Sequence, residues 1–457
     1  MLVDLFMPFC EAQQAHIKRL EDRLAVDSSN SSKPPSKDEH KPSGRRSLRT
    51  KSGKPPGGQA GHAGAGPSLR DDADEILRYA VDDCPGCGHD LRGVAPEEVI
   101  RKQVEDLPVI RPVITEHRVE VKRCPCCERR WRAAGCAVEH RFEYGPRIKA
   151  LGVYLSAHQF IPAGRTRQLF GALGVELSTG TLDNFRKSAA GELEGFMGRL
   201  RTSISTAAAG FFDETGIKVG GVGHWVHVAA TAARSLFLLH RKRGREAHAA
   251  MDVLPHFRGV LHRDDYAPYR HYTDATHSLC CAHLQRELVF ATERDGQGAW
   301  ADPLIGLLLR IKAAAERAPT GAVDARWRGR FRRRYAELVA LGLRDNPPKI
   351  KKDGKKRGRT AQTRTVNLLL RLRDNEDEVL RFMTHPHARY DNNQAERDLR
   401  MNKVRQKVSG GFRSLEAGRQ FMRIRSFIAT AVKQQADPLE ELVKLFTPGN
   451  TGYMRLA

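Results

Sequence analysis

The sequence predicts an α/β fold in which a mixed β-sheet carries acidic residues at the ends of its strands. Three observations lead there. From Thr206 onward, short apolar segments alternate with the two-residue period of strands: Ala208–Val219, His224–Ala230 and Ser235–His240, with turns at Gly220-Gly221 and Ala232-Ala233. A helical stretch from Arg245 to Phe257 then separates these from a second apolar run, Gly259-Val-Leu-His-Arg, which ends in Asp264-Asp265. A last strand, Thr276–Cys281, feeds a helix carrying His283 and Arg286. Three strands, a helix, a strand, then strand and helix is the order of a ribonuclease-H-like sheet.

Composition narrows the partner. Lys and Arg number 77 against 54 Asp and Glu, a net charge of +23 over 457 residues. Such an excess favours a polyanion, because neutralising phosphates releases condensed counterions. Charge alone leaves ribosomal and membrane-surface roles open. No apolar run approaches the roughly 20 residues that a membrane span requires. The first ten residues lack the basic start and small-residue cleavage site of a secretory signal. The nine cysteines are odd in number, and six fall at positions 84, 87, 124, 126, 127 and 136, unlike a secreted disulfide framework. A cytoplasmic protein with no membrane partner is expected.

The chain is expected to divide into eight segments. Residues 1–27 form a short helix whose Ile17, Leu20 and Leu24 share a stripe, suited to self-association or simply to a frayed surface helix. Residues 28–75, rich in Ser, Pro, Gly, Lys and Arg, make a disordered basic linker. Residues 76–140 form a zinc ribbon. In it, Cys84-Pro-Gly-Cys87 and Cys124-Pro-Cys126-Cys127 supply two knuckles for one structural Zn²⁺. Cys84, Cys87, Cys124 and Cys127 are the regular ligand set, Cys126 is the alternative, and a metal-free ribbon is the bland reading. Strands are expected between the knuckles at Val99-Ile, Val109-Ile and Val119–Lys122.

Residues 141–200 are helical and laid out like a helix-turn-helix. One helix ends at Gly174, and Ser178 caps the next. Arg165, Arg167, Ser178, Thr179 and Thr181 are the candidate DNA contacts; a helical hairpin without groove contact is the alternative. Residues 201–299 hold the first part of the catalytic domain. Residues 300–385 are a helical insertion with segments at Ala301–Ala318, Asp324–Leu341 and Thr363–Thr384. Its basic loop, with Lys351, Lys352, Lys355, Lys356 and Arg357, is a DNA clamp or a solvated linker. Residues 386–446 hold the closing catalytic helix and C-terminal helices, and 447–457 are a tail.

The chemistry explains the acids. Two divalent ions, Mg²⁺ or Mn²⁺, about 3.5–4 Å apart need hard oxygen ligands for an in-line phosphoryl displacement. Asp213 sits mid-strand after Phe211-Phe212, where a carboxylate is costly unless it meets a cation. Asp264 ends the neighbouring strand. A third acid must come from a later helix, and Glu396 is the best candidate: Asp391 looks like its N-cap, with Asn392 and Glu396 on one face. Taken alone, Glu396 also reads as part of a solvated Glu/Arg helix.

The ordered set Asn30-Ser-Ser-Lys-Pro-Pro-Ser, Gly61-His62, the cysteine ribbon, Tyr144-Gly-Pro, Ser178-Thr-Gly-Thr-Leu, Asp213-Glu-Thr-Gly, Gly259-Val-Leu, Cys280-Cys-Ala-His283, Asp391-Asn-Asn-Gln-Ala-Glu396-Arg, Lys407-Val-Ser-Gly-Gly-Phe-Arg and Arg425-Ser-Phe-Ile-Ala-Thr-Ala resembles the insertion-sequence-sixty-six family of bacterial DDE transposases. The resemblance implies Asp213 as first catalytic Asp, Asp264 as second and Glu396 as closing Glu. Where the family usually has Asp-Gly-Tyr, this chain reads Asp264-Asp265-Tyr266, so Asp265 is a rival. His283, Arg286 and Asn392 are accessory candidates; Cys280 and His283 alone are too small a metal set. The implied activity is binding of terminal inverted repeats, 3′-end cleavage and transfer to target DNA by at least a dimer, with small accessory proteins as further partners. The alternatives are a catalytically silent DNA-binding descendant and a zinc-ribbon scaffold.

Overall fold

The computed structural model describes residues 13–14, 16–17, 20–21, 61, 68–350, 360–449 and 452. Leu24, His62 and the basic-loop residues Lys351, Lys352, Lys355, Lys356 and Arg357 lie outside the described residues. Ile17 and Leu20 are helical and exposed. The chain falls into two compact units, residues 46–114 and the remainder.

In the smaller unit, residues 94–114 run without a strand, and Val99, Val104, Val109 and Val113 are exposed. The strands expected at Val99 and Val109 therefore do not form. Of the three expected ribbon strands, the one at Val119–Lys122 forms, in the larger unit, as β1 (Val121–Arg123), paired antiparallel with β2 (Arg130–Arg132). Period-two alternation supplied the pattern of a strand without a partner edge or a core to bury it against.

The five-stranded sheet has the order β5-β4-β3-β6-β7. Its first three strands, β3 (Ala209–Val219), β4 (Val222–Ala230) and β5 (Ser235–His240), form an antiparallel meander. The β3–β4 turn is Gly220-Gly221, with φ of +53° and +81° between the paired Val219 and Val222. A two-residue hairpin of this hand needs positive φ at both positions, which glycine accepts freely. β6 (Val260–Arg263) joins β3 in parallel, and β7 (Thr276–Leu279) joins β6 in parallel.

Two cores flank this sheet. One is built by β3–β5 with helices α1 (Pro146–Ala157), α2 (Ala163–Ala172), α3 (Thr179–Glu192) and α4 (Glu194–Ser205), and with the C-terminal helices. The crossover helix α5 (Arg245–Met251) is shorter than the expected Arg245–Phe257, because Asp252 turns left-handed at φ +58° and a single 3₁₀ turn, Leu254–His256, comes next. The second core joins β6 and β7 to α6 (Cys281–Asp295), α7 (Gly298–Arg317), α8 (Ala325–Asp345), α9 (Arg364–Asp374), α10 (Glu376–Val379) and α11 (Arg381–Thr384). The expected single helix over Thr363–Thr384 is thus three pieces. Gly342 lets α8 approach its neighbours: a Cβ there would stand 2.6 Å from Leu369 and 2.9 Å from Trp300.

The chain closes with α12 (Asn393–Ser409), α13 (Leu415–Lys433) and α14 (Pro438–Phe446). β5 is an edge strand, and its backbone would present unpaired N–H groups. α13 answers them: Phe237 N–H donates to Ser426 Oγ at 2.9 Å, and Ser235 N–H donates to Thr430 Oγ1 at 3.2 Å. Lys433 and Ser235 both bind Asp398 at 2.7 Å, tying α12 to that edge. These contacts fix where α12 begins, and with it Glu396.

Candidate active site

Asp213 stands near the middle of β3. The parallel β3–β6 register pairs Phe211 with His262, so Asp264, just past the end of β6, follows its strand in step with Asp213 on β3. Burial, and then the negative charges of Glu214, Asp264 and Glu396, push the Asp213 carboxyl well above the usual carboxylate range. Only a backbone hydrogen bond, from Glu214 N–H at 2.8 Å, works the other way. Acids from three separate elements therefore bear on the Asp213 carboxyl here.

Glu396 comes from the first turn of α12. Its Oε1 lies 2.8 Å from His283 Nε2 and its Oε2 lies 3.6 Å from an Arg286 nitrogen. Burial raises this carboxyl, but the His283 hydrogen bond, the His283 charge and Arg286 outweigh it and hold it below its ordinary value. Cys280 completes a cluster: its sulfur, a His283 ring nitrogen and a Glu396 oxygen all lie within 4.8 Å of one another. Burial pushes the Cys280 thiol up to about 12.

Helix α12 opens one residue later than expected. Asn392 is its N-cap position, without a side-chain cap, while Asp391 Oδ1 accepts from Asn393 N–H at 3.1 Å. The Asn392 side chain instead donates to the Phe212 carbonyl at 2.7 Å, and its N–H donates to Cys280 Sγ at 3.2 Å. The residue before Asp213, the cysteine at the mouth of α6 and the start of α12 are thereby fastened at one junction. Asn392 Oδ1 is buried with no hydrogen-bond partner.

Asp264 and Asp265 differ in surroundings. Asp264 Oδ1 accepts from Tyr266 N–H at 2.9 Å. Asp265 is held by cations: Arg270 at 2.6 Å, Arg371 at 3.5 Å and the buried Arg263 at 3.9 Å. A cavity of about 240 Å³ is bordered by Asp264, Asp265, Cys280, His283, Arg243 and Arg371, among others.

Sequence reasoning missed Glu214 and Arg243. The Glu214 side chain is fully buried, accepting from Arg243 Nε and from Tyr269 Oη, each at 2.7 Å. Arg243 also stacks on Tyr266, 3.9 Å from the ring centre. Glu214 comes directly after Asp213 in the Asp-Glu-Thr-Gly motif, so a signal was present. Nothing marked Arg243 among the other basic residues of its turn.

The other predicted groups lie elsewhere. Ser178 caps α3, its Oγ accepting from Thr181 N–H at 3.0 Å, and Gly174 takes φ +75° in the turn before it. Arg165, Arg167, Ser178 and Thr179 are exposed and Thr181 is half-buried. Each cysteine knuckle, one per compact unit, has a turn of the same kind. Gly88 N–H donates to the Cys84 carbonyl at 2.8 Å, and Glu128 N–H to the Cys124 carbonyl at 2.9 Å, with φ +75° and +56°. Backbone N–H groups and the second cysteine of each knuckle lower the Cys84 and Cys124 thiols. Cys127 thus holds the place in its knuckle that Cys87 holds in the other.

A mixed sheet of this order, with Asp213 within β3, Asp264 just beyond β6 and Glu396 on a later helix, is the ribonuclease-H-like arrangement. The profile of the Transposase IS66 family matches residues 141–420, over half of the chain, and the chain belongs to that family. The zinc-finger binding domain of transposase IS66 matches residues 82–128, and a family of unknown function matches residues 6–68. No curated protein matches the chain. Among the described residues no helix is long and apolar enough to cross a membrane.

Proposed function

We propose that this transposase binds terminal inverted repeats and catalyses 3′-end cleavage and strand transfer, using Asp213, Asp264 and Glu396 as ligands for two divalent ions, Mg²⁺ or Mn²⁺. The observation that carries the proposal is the crowding of acids around the buried Asp213. Burial, and then the negative charges of Glu214, Asp264 and Glu396, raise Asp213, a crowding that a bound cation would relieve. The donor set, carboxylate oxygens, fits hard ions, and Asn392 Oδ1 is a further buried oxygen without a partner. Asp265, neutralised by arginines, is the weaker ligand, and we assign the second position to Asp264.

When bound, such ions activate an attacking water or 3′-hydroxyl and stabilise the leaving oxygen. The chain's own residues do the rest. His283 and Arg286 orient Glu396 and keep it ionised. Asn392 holds α12 against β3 so that Glu396 reaches the two aspartates. Arg243, braced by Glu214, and Arg371 offer positive charge at the cavity wall for a DNA phosphate.

The same proposal covers the flanking modules and the division of the chain into eight segments. Cys84, Cys87, Cys124 and Cys127 hold one structural Zn²⁺, and α2–α3 contribute Arg165, Arg167, Ser178, Thr179 and Thr181 to DNA. Pairing of two transposon ends requires at least a dimer. The test compares wild type with Glu396→Gln for Mg²⁺- or Mn²⁺-dependent strand transfer on terminal-repeat DNA. Loss of activity in the variant supports the assignment; equal activity sinks it, and inactivity of both favours a silent descendant.

A further inference from the structure

Helix α8 opens with Arg326-Trp-Arg-Gly-Arg-Phe-Arg-Arg-Arg334, six arginines in nine residues with no acid among them. At 100° per residue, Arg326, Arg330 and Arg333 line up on one face, with Trp327 and Arg334 along its edge. The opposite face is fixed to the protein. Tyr335, Leu338, Val339 and Gly342 are buried, and Tyr335 Oη donates to the Leu372 carbonyl at 2.8 Å.

The arginines divide accordingly. Arg328 donates to the Val323 carbonyl at 2.5 Å, Arg332 pairs with Glu376 and Asp377, and Arg334 pairs with Glu337 at 2.9 Å, so these three are engaged within the protein. Arg330 and Arg333 meet no carboxylate among the described residues, and Arg326 reaches only its own N-cap, Asp324, at 3.9 Å. Trp327 is 41% exposed, an unusual state for a tryptophan, with Arg330 5.1 Å and Arg326 5.8 Å from its ring centre. A solvated charged face would not need to expose that ring.

The helix is also linked to the candidate active site. Arg332 holds Glu376 and Asp377; the next residue, Glu378, binds Arg263 at 2.6 Å; and Arg263 donates to the carbonyl of Asp264 at 2.9 Å. α9, on which α8 packs, supplies Arg371 to the cavity wall.

We infer that the exposed face of α8 is a second DNA-docking surface, on which the backbone of duplex DNA lies across Arg326, Arg330 and Arg333 with Trp327 against its edge. The inference rests on the chain acting on DNA, and it assigns to the insertion a binding role separate from α2–α3. Charge complementarity selects the occupant: cations one helical turn apart, roughly 5–6 Å, meet a polyanion with one charge per about 1.7 Å of axis. Guanidinium groups suit phosphate oxygens because they donate two parallel hydrogen bonds.

The experiment measures binding of the full-length protein to a labelled duplex of unrelated sequence over a series of salt concentrations. Each phosphate contact contributes about 0.9 to the slope of log affinity against log salt. The triple variant Arg326→Ala/Arg330→Ala/Arg333→Ala should therefore bind with a slope shallower by about 2.7. The corresponding triple lysine variant, which keeps the charges, should stay close to wild type. Duplex should quench tryptophan emission in wild type and do so less in Trp327→Phe. An alanine triple with the wild-type slope, or undiminished quenching in Trp327→Phe, overturns the inference. Failure of wild type to bind any duplex would defeat the DNA-handling reading as well, whereas wild-type binding with an indifferent triple defeats only this surface.

Discussion

His283 Nε2 and Glu396 Oε1 lie 2.8 Å apart, although 113 residues separate them in the chain. One stands in the first turn of α6 and the other in the first turn of α12. They meet because Cys281 N–H donates to the Tyr390 carbonyl at 2.9 Å and Asn392 N–H to Cys280 Sγ at 3.2 Å, bringing the two helix starts together. The helical insertion is therefore looped out between two residues that touch.

Asp264→Asn should lower metal-dependent strand transfer by at least about 10²-fold, the order that one transition-state electrostatic contact is worth. Asp265→Asn should leave the rate within about tenfold but lower stability by about 1–3 kcal/mol, since Arg263 loses an acidic neighbour and Arg371 and Arg270 a partner. Strand-transfer rates and urea unfolding of the two variants distinguish these roles. A reversed pattern would make Asp265 the second acid.

The raised Asp213 carboxyl ties stability to pH. A carboxyl whose folded pKa exceeds its unfolded value holds its proton more tightly in the folded state. That stabilisation is full below about 3.8, the usual Asp value, and is lost as pH rises through the higher folded value. Metal-free protein should thus lose melting temperature across that window, and Asp213→Asn should lose less. Mg²⁺ should oppose the loss and bind more tightly as pH rises, because metal and proton compete. Thermal melts across pH, with and without Mg²⁺, provide the check; identical profiles for the two proteins would remove Asp213 as the cause.

Gly259→Ala should destabilise the protein by about 2–3 kcal/mol, since a Cβ there would stand 2.3 Å from the Ala207 carbonyl oxygen and 2.7 Å from that of Ala208. Both contacts are backbone, so no side chain can swing away. Because Gly259 precedes β6, the variant should also disturb the meeting of Asp264 with Asp213. Unfolding in urea tests the first effect, and unchanged stability would refute it.

Purified protein should carry one zinc per chain, released by a strong chelator. Cys127→Ser should lose it and Cys126→Ser should keep it, because Cys127 has the turn position matched by Cys87. Elemental analysis of the two variants decides; retention in Cys127→Ser would shift the ligand to Cys126.

The meander was legible residue by residue. Its strands begin and end close to their expected bounds, because alternation, a Gly-Gly turn and flanking polar residues are local signals. The cap at Ser178 was equally local. Asp213 and Asp264 could be named because each ends or interrupts an apolar strand, and the order of strands brings those strands side by side. Other features were not encoded locally. Asp264 and Asp265 are neighbours of one type, and only packing surrounds the second with Arg263, Arg270 and Arg371. Glu214 stands in the Asp-Glu-Thr-Gly motif, yet only the folded chain brings Arg243 and Tyr269 over it. Strands near Val99 and Val109 had the right period and still did not form, for a strand needs a partner that alternation does not supply. The sequence by itself determined the sheet and the kinds of acid it carries, since periodicity and residue chemistry act over a few positions. Which acids meet, and which cations hold them, was decided only by tertiary structure, because charge and burial act between residues that the chain keeps far apart.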